Sequence, residues 1–278
     1  MCRWLVYSGS PIPLEELLYN SEHSLIDQSL HSRLGVETTN GDGFGVGWYA
    51  RDEAGPPVLF RGVGPAWSDL NLRELARSVH SPLFLAHIRA STGTPVQQTN
   101  CHPFRYGQRL WVHNGVVRDF PVVKRDLLLA VDPAYFPAIT GSTDSELMFF
   151  LALTFGLETE PVPAVERMVG FIEATGRRHG VEYPIQMTVA TADGDRVWAF
   201  RYSSEGNSRS LFFSTAVDTL RGMYPANEIL QRVSDETRIV VSEPLGNLVG
   251  AWQPVPESSY GVIQKGADKL AHFQPRLP

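Results

Sequence analysis

The chain has 278 residues, 43% hydrophobic and 19% charged, the balance of a folded globular protein and not of a disordered one. Its formal net charge is −6, and its three lysines, Lys124, Lys265 and Lys269, form no basic run. That argues against a nucleic-acid-binding or anionic-membrane surface, while a small anionic substrate held by one or two arginines stays possible. No segment approaches the ~18 uninterrupted apolar residues of a membrane span, and the short apolar run Trp4–Tyr7 falls short of a secretory core. Two cysteines, Cys2 and Cys101, are too few for a disulfide framework, so the expected setting is reducing and cytoplasmic.

In chain order, strands are predicted at Arg3–Ser8, Val46–Arg51, Val58–Arg61, Leu83–His87 and Arg109–His113, then at Ile185–Ala190, Arg196–Tyr202, Leu211–Ser214 and Arg238–Ser242. Ile185, Met187 and Val189 alternate with polar Gln186 and Thr188, the period of a half-buried strand. Helices are predicted over Ser68–Val79, Ser145–Phe155 and Val162–Arg178. The second is apolar nearly all round (Leu147, Met148, Phe149, Phe150, Leu151) and should be buried on most sides. Strands, then helices, then strands again fit an α+β protein of two sheets with helices outside them, expected as one domain over residues 1–278.

Four local patterns carry candidate chemistry. Removal of Met1 would leave Cys2 with both a thiol and a free α-amine, whose ordinary pKa of about 7.7–8.0 suits a base. Ala86-His87-Ile88-Arg89-Ala90-Ser91-Thr92-Gly93 runs from a strand into a polar loop, and arginine can fork onto a carboxylate. His113-Asn114-Gly115 offers a side-chain amide and a neighbouring backbone N–H, which could converge on an oxyanion; a tight Asn-Gly turn is the plainer reading of the same residues. Gly141-Ser142-Thr143-Asp144-Ser145-Glu146 reads as a helix N-cap, or as a place where Asp144 meets a substrate ammonium.

Taken in this order, Met1-Cys2-Arg3, Asn40-Gly41-Asp42-Gly43-Phe44-Gly45, the His87–Gly93 loop, Asn100-Cys101-His102-Pro103-Phe104, His113-Asn114-Gly115 and Thr143-Asp144-Ser145-Glu146 resemble the class II glutamine amidotransferase domain. Asn40–Gly43 and Ser242-Glu243-Pro244-Leu245 look closest to its stand-alone branch, which includes the γ-glutamyl amidohydrolase of ergothioneine biosynthesis. The resemblance implies a four-layer αββα sandwich of the N-terminal-nucleophile hydrolase type, with Cys2 as nucleophile and Asn114 and Gly115 as oxyanion hole. It implies Arg89 and Asp144 as the clamps on the α-carboxylate and α-ammonium, with Thr92 and His113 on the substrate side. The substrate would be glutamine or a γ-glutamyl amide, with ammonia passed to a separate synthase or simply released.

Ala90 and the direct Thr92-Gly93 step depart from the pattern of many relatives, so the substrate-side wall is expected to differ. No cofactor is implied. Cys2, His87, Cys101, His102 and His113 include zinc-ligand types but lack the spacing of a zinc site, so no metal is expected. Gly43–Gly47 leads into a strand and is no phosphate cradle. The competing reading is a catalytically silent binding module with the same fold.

Overall fold

The computed structural model describes residues 2–34, 39–50, 55–91, 93–264 and 266–278. The strands are β1 (Arg3–Pro13), β2 (Phe44–Trp48), β3 (Val58–Gly62), β4 (His80–Ile88), β5 (Phe104–Tyr106), β6 (Arg109–Val117), β7 (Ile185–Ala192), β8 (Val197–Ser203), β9 (Phe212–Ser214), β10 (Arg238–Val241), β11 (Trp252–Pro254), β12 (Ser259–Ile263) and β13 (Lys269–His272). The helices are α1 (Glu15–Leu18), α2 (Leu25–Leu30), α3 (Leu70–Ser78), α4 (Phe120–Leu129), α5 (Asp144–Thr154), α6 (Pro161–Arg178), α7 (Val217–Met223) and α8 (Glu228–Arg232).

Two antiparallel sheets result, one of seven strands in the order β11-β9-β10-β1-β4-β2-β3 and one of six in the order β13-β12-β8-β7-β6-β5. The two-residue period of β1 builds the layers directly. Leu5 and Tyr7 point to one face and join Leu17, Leu18, Leu25 and Leu72 of α1–α3. Trp4 and Val6 point to the other and meet Leu110, Val112 and Ala190 of the second sheet. Trp111, Met187 and Phe200 cover the far side of that second sheet, packed by Phe149 of α5 and Met168 of α6. Helix, sheet, sheet and helix make the expected αββα sandwich.

The structure corrects three local readings. β7 is buried along its whole length rather than on one face. Its polar Thr188 lies between the sheets, where its hydroxyl accepts the Trp4 indole N–H at 3.2 Å. β6 continues through Asn114 and Gly115 to Val117, with Gly115 opposite Met187, so the Asn-Gly pair is strand and not turn. The partner strand decides this, since a ladder on β7 overrides the local turn preference. β2 ends at Trp48, short of the predicted Arg51, which lies outside the described residues.

α5 is buried from Ser145 through Leu153, as its all-round apolarity requires. Thr143 is its N-cap, accepting the Glu146 N–H at 3.1 Å, a bond worth roughly 1 kcal/mol to the helix. Glu146 does not reach back to the cap residue. Its carboxylate accepts the Thr140 and Gly141 N–H groups at 3.0 and 2.7 Å and so shapes the approach to the helix.

Candidate active site

Cys2 immediately precedes β1, and the β1–β4 register sets Arg3 opposite Ile88 and Trp4 opposite His87. The start of β1 and the end of β4 therefore lie side by side, and the residues leaving β4 flank the thiol. Cys2 Sγ lies 3.6 Å from the Ala90 carbonyl oxygen. From the other sheet β6 brings up Asn114, Gly115 and Val116, and the first turn of α5 brings up Asp144 and Ser145. These residues line a cavity of about 330 Å³ together with Arg89, Ser91, Thr94, His102 and Arg209. A larger cavity of about 590 Å³ opens at the opposite end of the sandwich, beside Gly9, Leu83 and Asp193, and is lined by none of the predicted site residues.

The Asn40–Gly43 motif holds the Arg89 loop. Asp42 N–H donates to the Arg89 carbonyl at 3.1 Å, and the Arg89 N–H donates to Gly43 O at 2.8 Å. The Asp42 carboxylate accepts the Ser91 N–H at 2.7 Å. Gly43 has φ +117°, and a Cβ there would stand 2.6 Å from Cys101 Sγ and 2.9 Å from Gly62 O, so only glycine fits. Buried Arg89 then donates to Asp42 O, Ser91 Oγ and Thr94 Oγ1 at 3.2, 3.0 and 2.6 Å. All its acceptors are neutral; among the described residues no carboxylate pairs with it.

Asp144 ties α5 to β6, one oxygen accepting the Val117 N–H at 2.8 Å and the other the Ser145 N–H at 2.7 Å. The Asn114 side-chain amide lines the cavity and has no hydrogen-bond partner among the described residues. A Cβ on Gly115 would lie 1.9 Å from Gln186 O and 2.6 Å from His113 Nε2, so the adjoining strand and the imidazole together demand glycine.

Burial raises the Cys2 thiol pKa above its ordinary 9.0; Arg89 opposes that rise, and Asp144 adds to it. Burial likewise pushes His87 down to about 3 and His102 well below 6.5, so both imidazoles stay neutral at physiological pH. His113, predicted on the substrate side, lies behind the cavity wall instead. It is buried, with its Nδ1 2.7 Å from Ser145 Oγ, and it does not line the cavity. Its side chain points to the α5 face of β6, opposite to that of Asn114, as the strand alternation requires. Thr92 lies outside the described residues. Cys101 is buried against Gly62 O at 3.3 Å, a structural thiol. Arg209 carried no signal in the sequence, since it belongs to no motif and reaches the cavity only through tertiary folding.

The sequence profile of glutamine amidotransferases class-II matches residues 20–274. Probable glutamine amidotransferase DUG3 of Saccharomyces cerevisiae is 38% identical over 297 aligned positions, spanning 95% of this chain and 82% of that protein. A γ-glutamyl-hercynylcysteine sulfoxide hydrolase of Mycobacterium tuberculosis is 32% identical over 203 positions, covering 72% of this chain and 80% of the relative. Among solved structures, a class II glutamine aminotransferase domain protein from Silicibacter pomeroyi superposes with a TM-score of 0.75 at 31% identity, over 99% of this chain and all of the other. Glutamine phosphoribosylpyrophosphate amidotransferase of B. subtilis shares the fold at a TM-score of 0.64 and 14% identity. The fold is thus the sandwich of the N-terminal-nucleophile hydrolases. The chain belongs to the class II glutamine amidotransferase family, and it is an amidohydrolase.

Proposed function

We propose that Cys2, once Met1 is removed, is the nucleophile that cleaves the side-chain amide of glutamine or of a γ-glutamyl compound. One observation carries this reading: Cys2, an unpartnered Asn114 amide, an arginine without a carboxylate partner and the Asp144 carboxylate line one cavity. The relatives point the same way by their names, one a probable glutamine amidotransferase and another a γ-glutamyl hydrolase.

In the proposed reaction the Cys2 thiol gives its proton to its own α-amine, directly or through a water, and the sulfur attacks the amide carbon. The Asn114 amide and the Gly115 N–H hold the developing oxyanion, a stabilisation of about 3 kcal/mol per donor in comparable sites. Collapse returns the proton to the leaving nitrogen, which departs as ammonia or an amine. Water then opens the glutamyl thioester and frees glutamate and the thiol. Arg89 binds the α-carboxylate and Asp144 the α-ammonium. Their charges fix which end of the substrate enters first. His113 supports this wall through Ser145 without touching substrate.

The ammonia is released to solvent or taken up by a separate synthase. A silent binding module gains no support, because each position the chemistry needs carries a suitable group. The test is release of ammonia and glutamate from glutamine by wild type and by Cys2→Ala. Turnover that the variant abolishes supports the reading, and turnover that survives the substitution sinks it.

A further inference from the structure

Two cations, Arg89 and Arg209, line the cavity against one carboxylate, Asp144. Arg209 stands on the segment between β8 and β9, and that segment is fastened on both sides of it. Gln186 Nε2 donates to Asn207 O at 2.5 Å, and the Ser208 N–H donates to Glu257 Oε2 at 3.1 Å. Beyond Arg209, the Ser210 hydroxyl donates to Ser242 O at 2.8 Å, and the Val255 N–H donates to Leu211 O at 2.9 Å. The backbone that presents the guanidinium is therefore fixed before any ligand arrives.

The guanidinium itself has no hydrogen bond or ion pair among the described residues, and its Nε is buried without a partner. Glu257 does not pair with Arg209 among the described residues: its Oε2 accepts from the Ser208 hydroxyl at 2.5 Å and faces Arg201 at 3.6 Å, and its Oε1 has no hydrogen-bond partner. A buried guanidinium donor left without an acceptor is costly, which favours an anion in front of it. Its strap crosses between the sheets, tied to Gln186 of β7 on one side and to Ser242, next to β10, on the other.

A glutamyl group carries one α-carboxylate and one α-ammonium, and Arg89 and Asp144 match these. Nothing on the glutamyl group is left for a second arginine, and ammonia as a leaving group brings no charge. We propose that Arg209 binds an anionic group on the leaving amine, so that the preferred substrate is a γ-glutamyl conjugate of an amino acid or peptide with a free carboxylate. This inference rests on the amidohydrolase reading above.

The test uses γ-glutamylglycine and γ-glutamylglycinamide, which match in size and differ in that one charge. Calorimetric binding to the full chain carrying Cys2→Ala is compared with binding to Cys2→Ala/Arg209→Met and Cys2→Ala/Arg209→Lys. A single charge-assisted pair predicts that the carboxylate compound binds roughly ten- to a hundred-fold tighter. The ratio falls to about one with Arg209→Met and is partly kept with Arg209→Lys. Equal binding of the two compounds to Cys2→Ala, binding of neither, or an equal weakening of both by Arg209→Met would overturn the proposal. A charge preference in binding together with no hydrolysis of either compound by wild type would leave the subsite standing and remove the amidohydrolase reading. Hydrolysis of both at equal kcat/KM would do the reverse.

Discussion

Arg3 and Glu243, 240 residues apart in the chain, are joined by a buried ion pair, Arg3 Nε to Glu243 Oε2 at 2.9 Å. Arg3 Nη1 donates to the Cys2 carbonyl at 2.9 Å, so the pair grips the residue that carries the thiol. The same carboxylate accepts the Arg33 and Leu34 N–H groups at 2.8 and 3.2 Å and faces His23 Nε2 at 2.6 Å. The Ser242-Glu243-Pro244-Leu245 motif thereby holds the backbone of Cys2 from the far end of the sequence. Glu243→Ala removes the buried carboxylate from this ion pair and should cost about 3–5 kcal/mol, read as a lowered denaturation midpoint. A loss under about 1 kcal/mol would show that the pair does not anchor the N-terminus.

The acid limb of stability should change as well. Burial alone would raise the Glu243 pKa, but His23, the Arg33 N–H and Arg3 together hold it below its ordinary 4.5. A depressed carboxylate contributes stability that is fully present above 4.5 and is lost as pH falls from there through the lowered native value. Glu243→Gln should therefore flatten the pH dependence of the melting temperature below about pH 4.5. An unchanged acid limb would contradict this.

The pH profile of turnover separates two ways of activating the thiol. Burial has moved the Cys2 thiol above 9.0, so activity that depended on a pre-formed thiolate would keep rising beyond that pH. With the α-amine as base, kcat/KM should rise and level off near the amine's pKa of about 7.7–8.0. Initial rates from pH 6 to 10 decide between them.

Asn114→Ala removes a cavity-facing amide with no partner among the described residues and should lower kcat by roughly 10²–10³-fold with little effect on folding. Gly115→Ala is different in kind. Its methyl would overlap Gln186 O, so both stability and turnover should fall. An Asn114→Ala enzyme with near-normal kcat would remove the side chain from the oxyanion hole.

The main strands were legible as short apolar runs, since strands packed between layers are buried on both faces. Arg3–Ser8 and Leu83–His87 pair with each other inside longer strands. Helices α5 and α6 were legible from their long apolar patterns. The three-residue strands β5 and β11 and the short helices α7 and α8 offer too few residues for a period to emerge. At the site, Cys2, Arg89, Asn114, Gly115 and Asp144 were readable as ordered motifs and do line one cavity. His113 was expected among the substrate-binding residues, yet it faces Ser145 of α5, because the motif spells out consecutive residues while a strand turns neighbours to opposite faces. Arg209 was invisible because what brings it to the cavity is a web of bonds to Gln186, Ser242 and Glu257, all distant in sequence from one another.

The most direct measurement is acid-quench mass spectrometry of the enzyme during turnover of glutamine or γ-glutamylglycine. A Cys2 nucleophile with a free amine predicts a chain lacking Met1 and a glutamyl adduct on the peptide that begins with Cys2. Turnover without an adduct on that cysteine, or an adduct on Cys101 in its place, would contradict it.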